Sequence, residues 1–245
     1  NLNLHAVLQN IEDLTALDPQ AADLIKNWNL SIKFKVKNGP GASLSFSGGR
    51  CVFDEKPPQK PTISLYFLSH SHCNKMFDGK AAPVILKGFT RLGFLLKDFP
   101  KLTERLEYYL KPADGLLSDK KYLEINTRMT LNTAVYAARD LALSEENSRI
   151  NAAQIGAGPM MLKVLPGGPS ITIDFGAPGI MVKKGETAKP MCAMYIRDIK
   201  TANDFFNGRI DTYSAVASGD IAIRGLASML DSMAMILNRI PQYLS

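Results

Sequence analysis

The segment Ser69-His70-Ser71-His72-Cys73 sets two imidazoles and a thiol close together. Imidazole nitrogen and thiolate are zinc ligands, but a tetrahedral site needs further ligands, and the one histidine elsewhere is His5. The segment that answers to it in the second half of the chain, Arg197-Asp198-Ile199-Lys200, has no such set. The simpler reading is a polar loop in which Ser69 or Ser71 caps a short helix, with no metal. A thiol nucleophile needs a base brought to it by the fold, and the adjacency of His72 and Cys73 does not supply that. Cys51 and Cys192 fall in strand-like runs and read as inert core residues. Gly156-x-Gly158-Pro159 lacks the third glycine and the preceding strand of a phosphate loop. With no Ser-His-Asp order and no paired carboxylates, the expectation is a protein that is not an enzyme and needs no cofactor.

The methionines carry a different chemistry. There are ten, concentrated in the second half at Met160-Met161, Met181, Met191, Met194, Met229, Met233 and Met235. Methionine is unbranched and polarizable, and it adapts to apolar ligands of variable shape. Leu226, Met229, Leu230, Met233, Ile236, Leu237 and Ile240 recur at three-and-four spacing, which makes one apolar helix face. Spacing alone leaves two readings, a ligand-lining wall or a core stripe.

The bulk numbers fit a water-soluble globular chain. Of 245 residues, 46% are hydrophobic and 21% charged, and no apolar run reaches the roughly 20 residues a membrane-spanning helix needs. The first ten residues, NLNLHAVLQN, lack the basic and apolar regions of a signal peptide. Three cysteines, an odd and sparse set, point to a cytoplasmic location. The net charge of +6 lies mostly in residues 1–121, with 17 Lys+Arg against 12 Asp+Glu, but the cations are scattered, so nucleic acid is not an expected partner.

The elements that position these residues come in two copies. Lys60-Pro61 through Tyr66-Phe67 lies over Lys189-Pro190 through Tyr195-Ile196, and Phe77-Asp78-Gly79-Lys80 over Phe206-Asn207-Gly208-Arg209 at the same offset. Gly39-Pro40 meets Gly168-Pro169, and Phe46 meets Phe175. A fixed offset across separate segments marks an internal repeat. Domain boundaries follow at 1–115 and 116–245, with Lys111–Lys121, including Asp114-Gly115, as linker.

Each copy opens on an amphipathic helix, marked by Leu4, Val7, Leu8, Ile11 and Leu14, or by Val135, Ala138 and Leu141. Asp18-Pro19 starts a second helix in the first copy. Ile32, Phe34 and Val36 alternate with Lys33, Lys35 and Lys37 as a strand with one wet face. Hairpins are expected around Ser47-Gly48-Gly49 and around Gly176-Ala177-Pro178-Gly179. A further strand carries Ile63, Leu65 and Phe67, answered by Met191, Ala193 and Tyr195. A short helix then ends at Gly79 or Gly208, and a second at Gly88 or Gly219. A strand follows, clearest at Asp220–Gly225, and terminal helices are expected over 95–110 and 226–243.

This order, with Phe206-x-Gly208-Arg209, Ser218-Gly219-Asp220, Ile221-Ala222-Ile223 and Gly225-Leu226, resembles the sterol carrier protein-2 domain. The first copy keeps Gly79-Lys80 and Gly88, with Phe89–Gly93 one residue shorter before the next glycine and Pro100 interrupting its terminal helix. The resemblance implies an α+β fold: two tandem domains, each a five-stranded, mainly antiparallel sheet covered by helices on one side. It implies non-catalytic binding or transfer of a long-chain lipid, whether fatty acid, sterol-like molecule or acyl-CoA, in an apolar tunnel. The ligand-binding set expected is Met229, Met233, Ile236, Leu237, Met194, Tyr195, Phe206 and Arg209. Lys80 and Arg209 are cations that could meet a carboxylate head, or could serve a helix C-terminus instead. The expected partners are thus a lipid and, in passing, a membrane surface. The alternative is a structural or dimerisation module, with tunnels filled by side chains and a homo-oligomer or protein partner. Phe89, Phe94 and Phe99 are bulky enough to fill the tunnel of the first copy, so the larger cavity is expected in the second.

Overall fold

Period-two alternation organises both halves of the computed structural model, which describes residues 2–113, 115–176 and 179–243. The chain divides into two compact units, Asn1–Lys111 and Pro112–Ser245.

The first unit opens with a π-helical turn over Asn3–Val7, then α1 (Asn10–Leu17) and α2 (Pro19–Ile25). Asp18 caps α2 by accepting from the Ala21 N–H, with Pro19 at the favoured first helical position. Strands β1 (Leu30–Val36), β2 (Gly41–Ser47), β3 (Arg50–Asp54) and β4 (Ile63–Phe67) follow, then α3 (His70–Phe77), β5 (Val84–Lys87) and α4 (Phe99–Leu110). A 3-10 turn over Phe89–Arg91 and a π-helical turn over Phe94–Asp98 join β5 to α4. Pro100 therefore lies in the first turn of α4, where its missing N–H costs nothing, and the expected long helix starts late.

The second unit runs α5 (Lys120–Ser144), α6 (Glu146–Gln154), β6 (Pro159–Val164), β7 (Ser170–Asp174), β8 (Met181–Lys184), β9 (Cys192–Ile196), α7 (Ile199–Phe206), α8 (Thr212–Ala217), β10 (Ile221–Gly225) and α9 (Ala227–Leu237). No helix among the described residues is long and apolar enough to cross a membrane.

Both sheets have five strands in equivalent orders, β3-β2-β1-β4-β5 and β8-β7-β6-β9-β10. Each has three antiparallel pairs and one parallel pair, β1 with β4 and β6 with β9, so the sheets are mixed. The fold is α+β. In the first unit Ile32, Phe34, Val36, Leu44, Phe46, Ile63, Leu65 and Phe67 are buried on one face, while Lys33, Lys35, Ser64 and Tyr66 share the wetter face. Helices close over the apolar face: α1 and α2 pack on β3, and Phe99 of α4 tilts against Phe34 of β1 at 6.5 Å. In the second unit α5 packs on β7 and β8, and α7 and α9 pack on β9.

The equivalence reaches single hydrogen bonds. The Val36 N–H donates to the Pro40 carbonyl and the Gly39 N–H to that of Val36; Val164, Pro169 and Gly168 repeat both. α3 and α7 end alike, with Gly79 and Gly208 both at φ 69°. The Lys80 N–H reaches back to the Lys75 carbonyl, and the Arg209 N–H to that of Asp204. This is the bond pattern of a left-handed glycine cap.

Five sequence expectations are corrected. β6 is a strand beyond those the sequence pattern predicts. The inward set of β9 is Cys192, Met194 and Ile196, one residue out of step with the expected Met191, Ala193 and Tyr195, because β6 fixes the parity through Met160↔Cys192 and Leu162↔Met194. α5 starts at Lys120, well before the expected helix, capped by Asp119, so the linker is shorter than 111–121; Asp114 lies outside the described residues. The first unit has no second short helix: Gly79 leads through Ala81-Ala82-Pro83 directly into β5. The helix expected over 226–243 stops at Leu237, with a 3-10 turn at Ile240–Gln242 where Pro241 cannot extend it. The turn at Ala177-Pro178 lies outside the described residues, although its flanking strands pair as expected, Ile173↔Val182.

Candidate ligand-binding site

The path from α7 to α9 builds the site in the second unit. After the Gly208 cap, Asp211 starts α8 by accepting from the Ser214 N–H at 2.9 Å, and β10 then pairs antiparallel with β9. β10 ends at Gly225, φ 91°, where a Cβ would stand 2.1 Å from the Met191 carbonyl oxygen. The Leu226 N–H donates to that same oxygen at 2.9 Å, so α9 leaves the sheet from a fixed point. Gly88 is its counterpart at φ 95°, with its virtual Cβ 3.1 Å from the Thr62 carbonyl oxygen. Only glycine fits such an approach. Gly88 therefore answers to Gly225 and not to Gly219, and the missing α8 accounts for the shorter passage.

Four of the eight expected ligand-binding residues are fully buried. They are Met194 on the inward face of β9 and Met229, Met233 and Ile236 on α9, a helix that packs on β9 as well as on α5 and α6. Leu237 is half-buried at the end of α9. Tyr195 points to the opposite sheet face, where the Arg224 guanidinium lies 5.4 Å from its ring centroid. Phe206 is half-buried at the end of α7, edge-on to Phe205 at 5.2 Å. Arg209 folds back on α7, donating to Asp204 at 2.6 Å and to the Asn203 side-chain oxygen at 2.5 Å. Burial works against ionisation of Asp204, but Lys200 and Arg209 together hold its carboxyl below the usual range. Arg209 thus acts on its own helix terminus. Asn203, which sequence reading missed, is buried and donates to the side chains of Asn126 and Thr127 on α5. An asparagine at the fifth position of a helix gave no signal of that role.

The first unit packs a run of rings between β2 and the start of α4. Trp28 stands edge-on between Phe46 at 5.0 Å and Phe94 at 4.8 Å, and Phe94 neighbours Phe99 at 6.2 Å. Phe89 does not join them and is 63% exposed. A shallow groove of about 550 Å³ lies between α2 and α4, walled by Gln20, Asp23, Lys101, Glu104, Arg105 and Tyr108. Leu24 completes its wall, in which four of seven side chains are charged. Beneath it, buried Asp18 receives two bonds from Arg105 at 2.9 and 3.0 Å and one from the Tyr109 hydroxyl at 3.3 Å.

Ser69 caps α3, as one reading of the histidine cluster held, by accepting from the His72 N–H. His72 Nδ1 accepts from the Leu68 N–H at 3.1 Å, so Nε2 donates to the Ala82 carbonyl at 2.9 Å. Both ring nitrogens are taken. Burial pushes the Cys73 thiol up to about 11, away from the thiolate that a metal or nucleophilic role needs. Among the described residues, no three His, Cys, Asp or Glu side chains group to hold a metal ion.

No protein-family model matches the chain, and no curated protein is similar to it in sequence. Solved structures are similar in part. Sterol carrier protein 2 like 2 from Aedes aegypti shares 16% identity, covering 44% of this chain and 96% of its own, with TM-score 0.34. Sterol carrier protein 2 from Yarrowia lipolytica, in its apo form, shares 15% over 53% of this chain and 95% of its own, with TM-score 0.32. A conserved hypothetical protein from Thermus thermophilus, described as possibly a sterol carrier protein, shares 22% over 44% of this chain and 81% of its own, also with TM-score 0.32.

Proposed function

We propose that the chain is a tandem duplication of a sterol carrier protein-2-like unit and that its second unit binds one long-chain lipid, without catalysis, between β9, β10 and α9. One observation carries the reading: α9, whose first turn lacks a side-chain cap, packs on β9 and buries its own Met229 and Met233, while β9 buries Met194 on its inward face. Unbranched, adaptable side chains under an uncapped helix can part for a chain of methylenes at small cost. About twelve buried CH₂ groups at roughly 0.8 kcal/mol each give on the order of 10 kcal/mol. Association and ordering remove several of these, which leaves about micromolar affinity. The aromatic packing around Trp28 favours the structural alternative for the first unit alone. A cytoplasmic location belongs to the same proposal, since Cys51, Cys73 and Cys192 are free thiols.

Native mass spectrometry of the protein from cells should show a co-purified lipid. In titrations with a fluorescent fatty acid, Met233→Trp should weaken binding at least about tenfold while Leu106→Trp in the first unit leaves it intact. Loss in the Leu106→Trp protein alone would move the ligand to the first unit. No saturable binding by the unmodified protein would end the lipid reading.

A further inference from the structure

The absence of α8 from the first unit has a visible result at its sheet edge. In the second unit α8 packs on β10, the last strand of the order, and Ile221 there is buried. The first unit has no helix between α3 and β5, and β5 is likewise the last strand of its order. From β5 into the turns before α4, Val84, Leu86, Phe89, Leu92 and Leu96 are exposed, three of them by more than half. Large apolar side chains left so close together on a surface mark an interaction site.

The charges around them say with what. From Gly79 to Lys97 the sequence has no acidic residue, and Lys80, Lys87, Arg91 and Lys97 are all exposed. Lys80 shares its charge with Asp78 at 3.4 Å, while Lys87 hydrogen-bonds the Pro61 carbonyl and keeps its charge whole. Cations interleaved with protruding aliphatic and aromatic groups fit a surface that is anionic outside and hydrocarbon beneath. We infer that residues 84–97 of the first unit dock on the surface of an anionic lipid bilayer, with Phe89, Leu92 and Leu96 entering the interface and Lys87, Arg91 and Lys97 meeting the head groups. This docking stands apart from cargo binding in the second unit, because none of these residues lies on β9, β10 or α9.

Flotation with phosphatidylcholine vesicles containing about one-third phosphatidylglycerol tests it. The unmodified protein should float with them, and at least about tenfold less with pure phosphatidylcholine or in half-molar salt. The doubly substituted Phe89→Ser/Leu96→Ser protein, and separately Arg91→Gln/Lys97→Gln, should each lose about tenfold or more on anionic vesicles. Both change exposed residues, so circular dichroism and the fatty-acid titration should match the unmodified protein, which keeps failure of docking distinct from failure of cargo binding. Undiminished flotation of the Ser variant, or none by the unmodified protein, would overturn the assignment. So would sedimentation showing a dimer that the Ser variant breaks, since the face would then belong to a second copy of the chain.

Discussion

Asp18 shows how one side chain can hold a unit together from a place that no motif marks. It caps α2, accepts a fork of bonds from Arg105 on α4, and takes the Tyr109 hydroxyl as well. Burial alone would raise its carboxyl; the Arg105 bond and charge, with the Ala21 N–H, bring it below the usual carboxylate range. The same arrangement acts on Tyr109, whose phenol is pushed up to about 12 by burial and by the Asp18 charge. A carboxyl with a lowered folded-state pKa stabilises at pH above its unfolded value near 3.9, and that contribution disappears as pH falls through the folded value. Asp18→Asn should therefore cost about 2–3 kcal/mol at pH 7, less than a fully buried pair because Arg105 is partly wet. In urea titrations the gap between the two proteins should narrow below about pH 4. A gap unchanged down to pH 2 would mean that the carboxylate charge contributes nothing. The sequence disclosed the cap through Asp18-Pro19, but not the ion pair, because Arg105 lies on a helix far along the chain.

Elements were legible wherever one face is wet and the other dry. β1 announces itself because lysines alternate with Ile32, Phe34 and Val36. β6 does not, since Met160, Met161 and Leu162 are all buried and period two vanishes. The run Met191 to Ile196 is apolar at nearly every position, so its parity was undetermined until β6 supplied a register. Glycine matching misled in a different way. Gly88 was paired with Gly219 by residue type, whereas backbone contact pairs it with Gly225. Of the expected ligand set, the α9 residues were readable from helical spacing, but Tyr195 and Arg209 needed sheet parity and a folded-back side chain to be placed. The glycines make the distinction measurable. Gly208→Ala should cost about 1–2 kcal/mol, the strain of a left-handed residue with open space around it. Gly225→Ala should cost roughly 3 kcal/mol or more, because its Cβ meets the Met191 backbone as well. Equal losses in thermal melts would show that β10 is free to draw away from β9.

At the scale of the whole molecule, each unit completes its own sheet and its own core. Residues 1–113 produced alone should unfold cooperatively in urea and give dispersed amide resonances; a collapsed spectrum would show that the first unit needs the second. The doubled strand order also bears on how the chain is made. Two sheets with the same order and the same parallel central pair offer interchangeable partners, and β9 could be taken up by β1 in place of β4. Such exchange is a characteristic failure of tandem domains. Synthesis separates the rivals in time: at about 5–20 residues per second, β4 leaves the ribosome several seconds before β9 exists. By then β1 has both its neighbours, and the nascent second half finds no vacancy to invade. Refolding from denaturant offers no such head start, so protein diluted from urea faces a choice that the growing chain never meets.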